Sequence, residues 1–249
     1  EVLTVPLTAC SLSAKLGVNT NIGRGYTMKT NIIKRLVSLV GLAGCLVGTQ
    51  AFAGTIVGSP HDFSANGWSG GRICVACHTP HNGDTTIAAA PLWNHEVTTS
   101  TFTMYARSSI DGTITGQPEG VTLLCLSCHD GTVAVDSFGG ATGTTFISGA
   151  ALIGTDLSND HPISLTYTDT TAATDGGLHP PTTTTVTVRA GGDRTRTGSI
   201  DTVLLENGTV QCSSCHDVHN TFTVPGAVGQ PLLKVSKAGS AICLTCHAK

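Results

Sequence analysis

The chain has 249 residues, 40% of them apolar and 12% charged, a balance that excludes wholesale disorder. Sixteen acidic and thirteen basic residues give a formal charge of −3, and no Lys/Arg run is dense enough to line a nucleic-acid groove. Aromatic residues make up only 4%, so the large side chains that normally dominate a core are scarce and buried apolar area must come from another source.

Residues 1–27 precede Met28 and carry no targeting pattern, so they are expected to be an upstream extension. Residues 28–53 combine a basic start (Lys29, Lys34, Arg35), a short apolar stretch and Ala51-Phe52-Ala53, which is the layout of a secretory signal peptide cut after Ala53. The stretch from Leu36 to Val47 is too short and too interrupted to span a bilayer, and no later segment is longer, so no membrane span is expected. An alternative is processing as a lipoprotein at Cys45, in "LAGC".

Of the ten cysteines, Cys10 and Cys45 fall in the part expected to be lost. The other eight form four pairs: Cys74/Cys77, Cys125/Cys128, Cys212/Cys215 and Cys243/Cys246. A histidine follows each pair at once, namely His78, His129, His216 and His247. CxxCH is the attachment signature of haem c, because two thiols add across the two vinyl groups of one porphyrin and the adjacent histidine is then set under the iron. A zinc ribbon or a disulfide framework would not need a histidine after every second cysteine. The expected cofactors are four covalently bound haems c, whose porphyrins would supply the missing apolar bulk.

The second axial ligands come from a short list. Met104 is the only methionine after the signal segment, so most of the irons are expected to carry two histidines. Six histidines remain: His61, His81, His95, His161, His179 and His219. An internal repeat ranks them, since "CVACHTPHN", "PLWN" and "LCLSCHDG" are echoed by "CSSCHDVHN", "PLLK" and "ICLTCHAK". His81 and His219 each lie three residues after an attachment histidine. At that offset neither can close its own iron from the opposite side, so each is expected to reach the other haem of its pair: His81 that of Cys125/Cys128, and His219 that of Cys243/Cys246. His61 is expected to serve Cys74/Cys77 and His161 to serve Cys212/Cys215. His95 in "PLWNHE" competes with them, and His179 in "GGLHPP" is a weaker candidate.

The chain is expected to divide into a first haem-pair unit (54–135), a Thr/Gly-rich linker with short strands (136–210) and a second haem-pair unit (211–249). "TTTTVTVRA" predicts a strand with "GGD" as the following turn, and "TVLLENGTVQC" predicts a hairpin turning at Asn207-Gly208. No sustained apolar period predicts a helix much longer than an attachment segment. The expected fold class is therefore a multihaem cytochrome c with little regular secondary structure, irregular loops, short helices at the CxxCH segments and a few short β-strands.

The order of these phrases from His61 to His247 resembles the doubled-CxxCH multihaem cytochromes of metal-reducing bacteria, and among them the tetrahaem OmcE-type extracellular cytochromes that form filaments. The resemblance implies export, bis-histidine haems in stacked pairs, and electron transfer to other cytochromes and extracellular electron acceptors. It also implies self-assembly into a homopolymer in which one haem takes a histidine from a neighbouring subunit; His61, His95 and His179 are the candidates. The function expected is that of a non-enzymatic electron carrier. Two alternatives are a soluble periplasmic electron shuttle and a multihaem reductase of nitrogen or sulfur oxyanions, although no CxxCK motif is present.

Overall fold

The structure is a computed structural model that describes residues 56–114, 116–190, 194–219 and 232–248. The expected extension (1–27), the signal segment (28–53) with Cys45, and the GGD turn (191–193) lie outside the described residues.

Short elements are strung between loops. Helix α1 (Gly120–His129) is the longest, and it is followed by strand β1 (Leu165–Thr166), α2 (Asp169–Asp175), β2 (Thr185–Ala190) and β3 (Arg194–Ser199). Then come α3 (Ile200–Val203), β4 (Thr209–Val210), α4 (Cys212–Cys215) and α5 (Ala241–Leu244). This is the loop-rich architecture expected of the sequence, with three of the four attachment segments touching a short helix.

Strands β2 and β3 form an antiparallel hairpin running from Thr185 opposite Ser199 to Ala190 opposite Arg194. The alternation of β2 decides its faces: Val186 and Val188 pack inward, whereas Thr187 stays outside and its hydroxyl meets that of Thr197 at 2.8 Å. The second predicted hairpin is half right. Asn207 (φ 51°) and Gly208 (φ 72°) do form the turn, closed by Thr209 N–H donating to Glu206 O at 3.0 Å. Its first arm, however, is helical, because Ile200, Val203 and Leu204 stand at helical spacing and bury together against Tyr167, Ala172 and Val188. Burial of that face outweighs the β-branched composition, and β4 pairs instead with β1.

Among the described residues three small apolar clusters stand in place of a single core, as the low aromatic content predicts. One gathers Tyr167, Ala172, Val188, Ile200, Val203 and Leu204; a second Ala90, Trp93 and Leu124; a third Phe102, Leu126 and Leu157. Helix α1 supplies Leu124 to the second cluster and Leu126 to the third, so the helix that carries Cys125 and Cys128 is central to both. Met104 packs against the third cluster as an ordinary core side chain. Residues Ala51–Lys249 form one compact unit. Among the described residues no helix is long and apolar enough to cross a membrane.

Candidate functional site

All four attachment segments close the same turn. The histidine N–H bonds back to the carbonyl of the first cysteine, from His78 to Cys74 at 2.8 Å, from His216 to Cys212 at 3.0 Å and from His247 to Cys243 at 2.9 Å; in α1 the helix itself supplies this geometry. One helical turn carries two thiols and an imidazole toward one side. The segments differ in what starts them. In α4, Gln211 and Ser214 form a reciprocal capping box, with Gln211 N–H donating to Ser214 Oγ at 2.9 Å.

Every segment is strapped by a second stretch of chain, and here the internal repeat becomes structural. Thr79 N–H donates to Leu92 O at 3.0 Å and Asn94 N–H to Cys77 O at 2.9 Å. In the second half, Asp217 N–H donates to Leu232 O at 2.8 Å and Lys234 N–H to Cys215 O at 2.8 Å. Leu92 and Leu232 share a left-handed backbone, at φ 55° and 50°. "PLWN" and "PLLK" are thus the same clip on the first and third attachment segments, and two bulky residues adopt an uncommon conformation to make it. The second segment is held by the stretch after Gly149–Ala151, where Ile153 N–H donates to His129 O at 2.8 Å. The fourth is held by residues 177–179, where His179 N–H donates to Cys246 O at 2.8 Å. These last two straps left no signal in the sequence.

The imidazoles fall into pairs. His61 lies 6.0 Å from His129 between ring centroids, His78 lies 6.3 Å from His219, and His161 lies 6.5 Å from His247. Each pair joins one attachment histidine to one candidate second ligand, but not with the partners expected. His61 faces His129 instead of His78, His219 faces His78 instead of His247, and His161 faces His247 instead of His216. Sequence order suggested other partners, and of the three pairs only His78–His219 joins the first half of the repeat to the second.

These pairs fit an iron between them. A metal–imidazole bond of about 2 Å on each side, plus the two half-rings, separates centroids by about 6 Å. In several of them Nδ1 is engaged, which would leave Nε2 as the ligating atom. His78 Nδ1 donates to Pro91 O at 2.9 Å, His129 Nδ1 to Ala151 O at 2.7 Å and His161 Nδ1 to Pro162 O at 3.0 Å. His219 Nδ1 lies 3.4 Å from the carboxylate of Asp217, which raises its pKa. Burial, with repulsion from His129, His216 and His219, pushes His61 down to about 4, so its imidazole is held neutral as metal ligation requires.

The apolar surroundings fit a porphyrin as well. Leu92, Leu152, Ile153 and Leu244 are among the few large apolar side chains left exposed, and all four belong to attachment segments or to the straps beside them. Burial pushes the Cys77 and Cys246 thiols up to about 11 and Cys128 up to about 12. Cys125 and Cys212 are hydrogen-bonded to each other, which brings the second and third segments together. Cys125 is raised well above the usual range, and the hydrogen bond from Cys125 lowers Cys212 to about 7 despite burial.

The remaining candidates stand apart from the pairs. His95 is buried, with Nε2 3.0 Å from Ala134 O and Nδ1 2.7 Å from Glu96 O, so a carbonyl oxygen lies beside each ring nitrogen. His81 is exposed, and its carbonyl accepts from Thr79 Oγ1 at 2.9 Å. His179 is fixed through its backbone, with its carbonyl accepting the Tyr167 hydroxyl at 2.5 Å. Among the described residues neither the His81 nor the His179 ring lies against another imidazole.

Residues 205–249, which contain the third and fourth attachment segments, match the protein family described as the doubled CXXCH motif. No curated protein matches the chain. The match supports a multihaem c-type cytochrome, and the CXXCH motifs indicate covalently bound haem c.

Proposed function

We propose that the chain is a non-enzymatic tetrahaem electron carrier of low-spin, bis-histidine type, exported from the cytoplasm. The observation that carries the reading is the set of three imidazole pairs with centroids 6.0–6.5 Å apart, each containing one CxxCH histidine. A haem bound in this way supplies a reversible one-electron ferric/ferrous couple and offers no open position to a substrate.

In this reading the eight cysteines from Cys74 to Cys246 form thioethers, and His78, His129, His216 and His247 are the proximal ligands. His219, His61 and His161 complete the first, second and fourth irons. For the third iron we take His81, which the repeat matches with His219 when the 74–94 segment is laid on 212–234. The straps keep each imidazole in one tautomer and one orientation, which limits the rearrangement that accompanies a change of iron charge.

An extracellular, self-assembling form is the finer part of the proposal. The resemblance to filament-forming cytochromes supports it, and so does the charge pattern. Residues 54–185 hold eleven acids and two bases, whereas residues 186–249 hold four acids and six bases, an asymmetry that would favour contact between unlike segments of neighbouring copies. Electron micrographs of native material that contain only isolated particles would remove that part.

Haem stoichiometry tests the carrier reading. Pyridine haemochromogen analysis against protein mass is expected to return four haems, all low-spin in the visible spectrum. Two haems, or a high-spin fraction that shifts on adding nitrite, would favour a reductase.

A further inference from the structure

His95 is buried as deeply as a core residue, at 5% exposure, yet it is polar and its ring touches a haem-attachment cysteine. Its Nε2 lies 3.5 Å from Cys128 Sγ, the free thiol that stands for the second thioether sulfur of the second haem. On its other side the ring meets Trp93 at 6.4 Å between centroids and an interplanar angle of 63°. Trp93 in turn sets its edge against His78, the proximal histidine of the first haem, at 6.2 Å and 90°. One unbroken series of contacts, His78–Trp93–His95–Cys128, therefore joins the first attachment site to the second.

The backbone holds this series rigid. Between Trp93 and His95, Asn94 N–H donates to Cys77 O at 2.9 Å and Asn94 Nδ2 donates to Val75 O at 2.6 Å, which locks the strap to the first segment. On the far side Glu96 N–H donates to Ser137 O at 2.9 Å and His95 Nε2 lies 3.0 Å from Ala134 O, which ties it to the loop that follows the second. Trp93 is 8% exposed and packs on Leu124 of α1, the residue before Cys125. Its indole N–H is buried with no acceptor within the described residues. A buried polar group of that kind is uncommon where nothing depends on it. The second half of the repeat has Leu233 and Val235 at the matching places, so the first haem pair alone contains this ring series.

We propose that His95 is a positioning residue, not an iron ligand, and that the Trp93–His95 pair couples the ligand surroundings of the first haem to those of the second. The inference rests on the haem reading above. It adds that a change at either ring is felt at both of the first two haems, because the pair packs against His78 on one side and Cys128 on the other.

A double-mutant cycle on the haem-loaded protein tests this, using His95→Ala, Trp93→Phe and the combination, with spectroelectrochemical midpoint potentials as the readout. Retention of four covalent haems in a low-spin spectrum is expected in every variant, with shifted potentials for the first and second haems that do not add in the double variant. His95→Asn, which retains a side-chain donor for Ala134 O, is expected to return part of the shift. A high-spin haem in His95→Ala would overturn the proposal by making His95 a ligand, and so would additive or absent shifts. If His95→Ala fails to assemble, the cycle is run on His95→Asn and Trp93→Phe with the same criterion. A wild-type protein without covalent haem would refute the carrier reading itself, an outcome seen before any variant is made.

Discussion

At the level of single residues, the identity of a histidine was legible from sequence and its partner was not. CxxCH names the attachment histidines outright, because thioether chemistry fixes the spacing. The three-residue offset of His81 and His219 excludes their own irons but says nothing about which other iron they approach. That choice depends on how residues 212–219 lie over residues 74–78, a contact between distant parts of the chain. His95 illustrates the limit from the other side: "PLWNHE" made it a credible ligand, but only the carbonyls of Glu96 and Ala134 reveal that both ring nitrogens are engaged. Replacing His219 with alanine is expected to convert one haem of four to high-spin while leaving haem content unchanged, as read in the visible and EPR spectra. An unchanged spectrum would remove His219 from the first iron.

Among the elements, the strands and turns that depend on local chemistry were readable, whereas those that depend on burial were not. The β-branched run at residues 185–190 forms its strand, and Asn207-Gly208 supplies the positive φ angles its turn requires. The first arm of the hairpin expected over residues 202–212 instead begins in the helical turn Ile200–Val203, because Ile200 and Val203 find a pocket between β2 and α2. Ile200 has no exposed surface, so Ile200→Ala should destabilise the protein by about 2–5 kcal/mol in urea titrations of the haem-loaded form. A change below about 0.5 kcal/mol would mean that this cluster does not hold the hairpin in place. The PLWN/PLLK clip falls between these cases: its recurrence was visible, but the left-handed leucines and their hydrogen bonds to the attachment segments were not.

For the molecule as a whole, scarce aromatics and abundant CxxCH motifs point to one design. Three small clusters, each sharing residues with an attachment segment or packed against one, cannot replace a conventional core, and in the proposed reading covalent haems with two protein ligands would act as cross-links among the loops. In the proposed reading the His78–His219 pair would place one iron between the two halves of the repeat and so tie them together. The central claim is this pairing, and the most direct measurement is a cryo-electron microscopy or crystallographic map of the haem-loaded protein in which both axial ligands of every iron are traced. The expected result has His78 with His219, His61 with His129 and His161 with His247 on three of the irons, and His95 on none. A map in which His219 ligates the haem of Cys243/Cys246, or His61 that of Cys74/Cys77, would contradict it.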